Sequence, residues 1–452
     1  MNKSVFSLLI SVLALTVSCF DDVKVETSPY AAITSFRLGY YNVIRNDVSY
    51  QRRDTLIEVR ESGTMYPMTI DQLQNRIYNR DSLAYGSVLN SVTCTIGAYG
   101  TVFFRYDDEN DSLVTQWSSD VAIDFTRPLK FYVVSTDESY IREYEFSLLV
   151  HTVDPDSLHW TKSVNSGVVG FEQKSAVCRG DMIYDFCMGS GDVPYVTWRN
   201  VKSGAWSEPA ILEGITPESW SGEVTLFSDR FFTLCEPALF SSSDGVNWSV
   251  VTTPPFTTLY SAGTETDIMW ALGSDGMMYK TSDMLTWDVD EKLPDGFPYI
   301  SARLFCDTLS TNGSIMRYVI AGLNDEGGEN HTSVWIRLSG ESNWTRASDA
   351  LNGALELPVM DNLSIFSYDG SLYASGTPLD SFWQSMDHGL TWRKCDRYSD
   401  YYTTYNNFMQ LPEELKGVST SFSCTTDKYG GFWILTGDGQ TWRGAINRLN
   451  NL

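Results

Sequence analysis

"QSMDHGLTW" (residues 384–392) decides the fold. It sets Ser385, Asp387, Gly389, Thr391 and Trp392 at the spacing S-x-D-x-G-x-T-W. "SSDGVNW" (242–248) repeats it one residue shorter with Asp244, Gly245 and Trp248, and "TSDMLTW" (281–287) with Asp283 and Trp287. "SGESNW" (339–344) and "SGAW" (203–206) are eroded copies. An aspartate in such a turn accepts backbone N–H groups across it. Glycine supplies a backbone angle that other residues avoid, and a tryptophan wedged between sheets buries on the order of 200 Å². None of these roles needs a substrate, so the recurrence reads as scaffold.

The units around these motifs end at Trp206, Trp248, Trp287, Trp344 and Trp392. Each reads strand, turn, strand, variable loop, aromatic strand, turn, Trp strand. Four strands in a unit of 40–57 residues is the repeat of a propeller blade. The last unit, "GFWILTGDGQTWRGAINRL", stops one strand short, while "LHWTKS" (158–163) stands before the first unit without a blade of its own. An unpaired edge strand is sticky and costly, so residues 158–163 are expected to complete the last blade. Counting Trp160 with the five others gives six blades. Seven is the alternative, if one more lies within 290–345.

Residues 31–153 carry seven or so short β-branched and aromatic segments, among them "TVFFRY" (101–106) and "LKFYVVS" (129–135). That is the size and pattern of one Ig-like β-sandwich. The two helical candidates, 69–79 and 408–416, are short enough to be turns or loops. "HTVDPDSLHW" (151–160) is a turn-rich boundary. The expected class is all-β: a sandwich over 31–153 and a propeller over 158–452.

The first 18 residues form a targeting segment, with Lys3 before the apolar run "VFSLLISVLALTV" (5–17). That run is too short to span a bilayer. "LTVSC" resembles a bacterial lipobox, with Cys19 as the lipidated residue and 19–30 as a linker. Asp21 and Asp22 resemble the acidic signal that sends lipoproteins to the cell surface in Bacteroides-type bacteria. An outer-membrane lipid anchor facing outward is the expected location.

Composition excludes several roles. A net charge of −25 argues against nucleic acid, which needs clustered Lys and Arg, and against anionic membranes bound through charge. Membrane contact is then expected through the lipid alone. Four His and eight scattered Cys, without C-x-x-C pairs, give neither a zinc site nor a disulfide framework. No cofactor or metal is expected. "NDEGGEN" (324–330) could offer carboxylates to calcium, but its spacing is not an EF-hand and it reads as a solvated loop.

The aspartate motif resembles the Asp-box (BNR repeat) of sialidases and other repeat propellers. Sialidases also carry an F-R-I-P-type segment and three arginines. The nearest match here, "FTRP" (125–128), lies in the N-terminal part, and no such arginine set can be assembled. No G-x-S-x-G or H-E-x-x-H motif occurs. No catalytic residue is assigned. A glycoside hydrolase with two carboxylates remains the alternative to a binding module.

"MYPMTIDQLQNRIYNRDSLAYGS" (65–87), "DFTRPLKFYVVSTDESYIREYEFSLLVHTVDPDSLHW" (124–160) and "WRGAINRL" (442–449) together resemble a family of Bacteroides-type surface lipoproteins. That family pairs an N-terminal β-sandwich with a C-terminal propeller and has no assigned activity. The resemblance implies fold and location and brings no catalytic residues.

In a four-stranded meander the three-to-four hairpins, which carry the aspartate motifs, leave on one face. The two-to-three loops and blade-to-blade loops leave on the other, which is the expected binding face. There "DRYSDYYTTYNNF" (396–408) offers Tyr398, Tyr401, Tyr402 and Tyr405 with Asn406 and Asn407. Trp220, Phe256, Tyr260, Phe297 and Tyr299 lie on neighbouring loops. Aromatic faces with hydroxyl and amide groups suit a glycan or a surface protein. The alternative is that these rings pack the blade junctions.

Overall fold

The computed structural model describes residues 27–49, 53–107, 113–155, 157–202, 204–347, 355–395 and 409–451. The chain divides into two compact units, Met1–Pro155 and Asp156–Leu452. Among the described residues both are built of strands, with three short 3-10 turns and no α-helix. The helical candidate at 69–79 is a hairpin, Met68–Asp71 with Arg76–Asn79. Residues 409–416 are irregular chain and turns.

The first unit holds a six-stranded sheet in the order 68–71, 76–79, 141–147, 129–134, 101–106, 115–116. Two smaller sheets join it: Ala32–Leu38 with Cys94–Tyr99, and Tyr40–Ser49 between Arg53–Ser62 and Ser87–Val88. A bulge between Ile33 and Ser35 shifts the alternation along Ala32–Leu38, so that Ile33 as well as Phe36 and Leu38 turn inward. Phe36 meets Phe125, Phe131 and Phe146 with ring centroids 5.3–6.4 Å apart. The Tyr144 hydroxyl, buried across the core, donates to Gln72 Oε1 (2.7 Å) and accepts from the Ile33 amide (3.2 Å). It ties the two layers with its polar end satisfied.

The second unit contains six sheets among the described residues. The first runs Glu172–Arg179, Met182–Met188, Pro194–Asn200, Ala210–Ile211, and the second Trp220–Phe227, Arg230–Cys235, Ala238–Ser242, Ser249–Val251. The third runs Phe256–Leu259, Met269–Gly273, Met277–Thr281, Asp288–Lys292. The fourth has Ile300–Leu309, Asn312–Glu326, Glu329–Leu338 and Thr345–Arg346, with Ser261–Ala262 added in parallel on its inner side. The fifth runs Asp361–Tyr368, Ser371–Thr377, Trp383–Ser385, Arg393–Lys394. No additional sheet lies within 300–346. The length that raised a seventh unit is spent on the long hairpin of the fourth sheet.

The sixth sheet closes the ring. Phe422–Thr426, Gly431–Thr436 and Gln440–Ile446 come from the C-terminal end. The outer strand is Leu158–Val164, paired antiparallel from Leu158↔Ile446 to Val164↔Gln440. This is the pairing that the orphaned Trp160 segment predicts. Phe422–Thr426 in turn packs against Glu172–Arg179, so the innermost strands make a closed cycle of neighbours. Closure leaves Gln440–Ile446 with no free edge.

Seven cysteines, 94, 178, 187, 235, 306, 395 and 424, are unbridged. All but Cys178 are buried, and they act as small apolar core residues.

Candidate functional site

The three aspartate turns share one geometry. In the longest, Ser385 Oγ donates to Asp387 Oδ1 (2.8 Å) and accepts from the Gly389 amide (2.7 Å). Asp387 also takes the Thr391 amide (2.8 Å) and hydroxyl (2.6 Å). The Trp392 indole N–H returns to the Gly389 carbonyl at 3.0 Å. Asp244 repeats this with the Ser242 hydroxyl, the Val246 and Asn247 amides and the Asn247 side chain, all at 2.8–2.9 Å. Trp248 Nε1 donates to the Gly245 carbonyl. Asp283 binds the Leu285 and Thr286 amides and the Thr281 and Thr286 hydroxyls.

Electrostatics follow from these bonds. Burial works to raise the Asp244 carboxyl, but the donors from Asn247, Val246 and Ser242 outweigh it and hold it down at about 2. The Thr286 and Leu285 amides hold Asp283 below the usual carboxylate range as well. These carboxylates are saturated by their own turns, so none is free to act on a substrate.

The tryptophans divide. Trp248 meets Phe186 of the preceding sheet (6.2 Å, edge-on), and Trp344 meets Trp270 of the preceding sheet (5.3 Å). Trp392 shares a core with Val334 and Phe305 of the fourth sheet. These three are buried wedges between sheets. Trp160, Trp206 and Trp287 are half-buried instead. Trp287 packs at a tilt against Phe256 of its own sheet, and Trp160 meets Phe432 and Trp442 of its own edge-on. The motif therefore marks a turn everywhere and a wedge in three places.

The expected ligand residues fare unequally. Tyr398, Tyr401, Tyr402 and Tyr405 lie outside the described residues, as does Cys19. Trp220 and Tyr260 are buried, and this corrects their assignment to a ligand surface. The Trp220 indole N–H donates to Thr233 Oγ1 (2.8 Å) inside the second sheet. Tyr260 is fully enclosed against Phe297. Sequence alone could not separate these rings from surface ones, because both stand at the ends of strands next to loops. Tyr299 is the one described member of the set that stays exposed.

Two cavities in the second unit are candidates. One, of about 370 Å³, is axial and lined by the later halves of the innermost strands, including Cys178, Leu226, Asp229, Arg303 and Cys424. It lies toward the face that carries the aspartate turns. Two of its three charged lining residues, Asp229 and Arg303, are held by neighbouring side chains, and the third, Glu265, is exposed. Arg179 holds Asp229 bidentately (2.8 and 2.9 Å) and keeps its carboxyl low. Arg303 faces Glu223 at 3.9 Å, and Glu223 also accepts the Ser261 hydroxyl.

The second is a groove of about 310 Å³ on the opposite face of the fifth sheet. The connection from the fourth sheet supplies Val359, Met360 and Asp361, and the two-to-three loop supplies Asp380. Trp383 and Lys394 come from the adjoining outer strands. Trp383 is half-buried, so part of its ring stays accessible, and Asp361, Asp380 and Lys394 are exposed. None of these three charged groups forms an ion pair among the described residues. An aromatic face, two carboxylates and an ammonium around one recess can stack on an apolar ring face and accept or donate at hydroxyls. Sequence reading missed this groove. No signal in the residues marked it, because Trp335 holds the same third-strand position in the fourth sheet, nine residues before Trp344 as Trp383 is before Trp392, and is buried there.

Family comparison covers both parts of the chain. Residues 154–451 match the DUF6242 beta propeller domain, and residues 42–148 match the DUF6242 N-terminal domain, a domain of unknown function. The chain belongs to the DUF6242 family. Comparison of this DUF6242 chain with curated proteins finds no match. Similar solved structures include an α-L-arabinofuranosidase from Fusarium graminearum (12% identity, 63% of this chain and 98% of that one, TM-score 0.35). An α-L-arabinanase from Penicillium chrysogenum aligns at 10% identity over 64% and 99% with a TM-score of 0.38. BamB from Moraxella catarrhalis aligns at 8% over 95% and 97%, with a TM-score of 0.30. At these scores the activities in those names stay with those proteins.

Proposed function

We propose that this DUF6242 protein is a lipid-anchored surface protein whose propeller binds a glycan in the groove around Trp383. The observation that carries this is the contrast between the two cavities. In the axial cavity Asp229 and Arg303 are held by Arg179 and Glu223, Glu265 alone carries a charge outside an ion pair among the described residues, and no Trp or Tyr lines it, whereas the groove offers a half-buried indole with Asp361, Asp380 and Lys394 unpaired among the described residues. The groove also lies on the face opposite the aspartate turns. In this reading the six sheets are six blades, the three turns are Asp-boxes serving as scaffold, and the N-terminal unit is an Ig-like sandwich. Cys19 carries the lipid, which holds the protein at the outer surface. Lys394 lies two residues before the tyrosine-rich stretch 396–408.

The test is binding to a panel of purified polysaccharides by the chain and its Trp383→Ala variant. Loss of a stacked indole should weaken a bound glycan by about tenfold or more. The Tyr401→Ala/Tyr402→Ala variant reports separately on the tyrosine stretch. Equal affinity for chain and Trp383→Ala removes the groove from the reading. A second reading, hydrolysis, is favoured by the presence of two carboxylates in one groove. Release of reducing sugar that disappears in Asp380→Asn would replace binding by hydrolysis. Anchoring is read separately, as lipid mass on Cys19 that a Cys19→Ala variant lacks.

A further inference from the structure

A polar cluster lies buried at the seam where the ring closes. Asp185 stands mid-strand in Met182–Met188 and is fully enclosed. Asn165, just past the closing strand, and Gln173, in the first innermost strand, are nearly as enclosed, at 1% and 4% exposed. All six side-chain polar atoms of the three residues are buried without a hydrogen-bond partner. Both amides face the carboxylate. Their backbones are tied to the sixth sheet. The Asn165 amide donates to the Gly439 carbonyl (2.7 Å), and the Gln173 amide donates to Ser421 Oγ (2.7 Å). No cationic side chain pairs with Asp185 among the described residues.

A fully buried carboxylate with no counter-charge is costly, and buried polar atoms are ordinarily partnered. A proton would let Asp185 donate to one amide oxygen and accept from one amide N–H, which still leaves part of the two amides' donor and acceptor capacity unused. A hard cation uses what is present: two carboxylate oxygens, plus one oxygen from each amide, since an amide presents either end by turning over. We propose that Asp185, Asn165 and Gln173 bind a hard cation, of the sodium or calcium class, that fastens the first sheet to the sixth. The site is independent of the Trp383 groove.

The experiment is thermal unfolding of the full chain, stripped with chelator and held in choline chloride, then titrated with NaCl in one arm and CaCl2 in another. At about a hundredfold excess over the dissociation constant, a site filled only in the folded state should raise Tm by roughly 5 °C. The rise should saturate in at least one arm and be absent in Asp185→Asn. Asn165→Ala reports the same loss if Asp185→Asn does not fold. No rise in either arm overturns the proposal and leaves Asp185 neutralised by a proton. A rise that persists in both variants overturns it too, by assigning the effect to the acidic surface.

Discussion

Gly389→Ala tests whether the aspartate turn is a wedge between sheets. Gly389 has φ of +96°, where a side chain is strained by about 1–2 kcal/mol. A Cβ added there would also stand 2.7 Å from Val334 Cγ1 and 3.3 Å from Cγ2, in the strand Glu329–Leu338 of the preceding sheet. Val334 is buried, so it cannot retreat without disturbing its own core, and overpacking of this kind costs about 1–3 kcal/mol. The two terms give about 2–5 kcal/mol. Gly245, the equivalent residue of the shorter turn, has φ of +83° but finds its nearest neighbours at 3.5–3.6 Å, ordinary contact distance. Gly245→Ala should therefore cost the backbone term alone, about 1–2 kcal/mol. Urea unfolding followed by tryptophan fluorescence reads both. The decisive measurement is the double mutant. In a Val334→Ala background the extra cost of Gly389→Ala should fall to that of Gly245→Ala, a coupling of about 1–3 kcal/mol. Equal costs for the two glycines, or no coupling to Val334, would refute the packing argument.

Two further outcomes follow from the same frame. Asp244 is held near 2 and Asp283 also sits low, so both turns contribute stability above the unfolded carboxylate pKa of about 4 and lose it as pH falls through the folded value. Asp244→Asn should flatten the acid limb of a Tm-versus-pH curve between about pH 4 and 2, and an unchanged limb would count against the hydrogen-bond account. Removing residues up to 164 exposes the edge of Gln440–Ile446 along its whole length. Size-exclusion chromatography should then show self-association or aggregation, and a clean monomer of native stability would count against strand closure.

Much of the second unit was legible because its signals are local. A Ser/Thr, an Asp two residues on, and a Trp beyond them specify a hairpin within nine residues, so each turn could be read without knowing its neighbours. Closure was legible for a related reason, since the strand missing at one end was present at the other. What was hidden depends on packing between segments. Trp220 and Tyr260 look like surface aromatics in sequence, and only Thr233 and Phe297, contributed by other segments of the chain, show that they are enclosed. The opposite error holds for Trp383. It resembles a repeat tryptophan, yet it misses the wedge position after the turn and remains half exposed beside Asp361 and Asp380. Register explains the difference. A wedge tryptophan follows its turn and returns its indole N–H to the turn glycine, as Trp248 and Trp392 do at 3.0 Å. Trp383 precedes its turn by four residues to Asp387 and pairs with Lys394 and Ala374 across the sheet. Trp335 holds the same third-strand register in the fourth sheet, opposite Arg346, and is buried, whereas Trp383 packs on its core with one side only. What sets Trp383 apart from Trp335 is therefore not its place in the repeat but the open groove beside Asp361, Asp380 and Lys394, and it is this exposure that the ligand proposal uses.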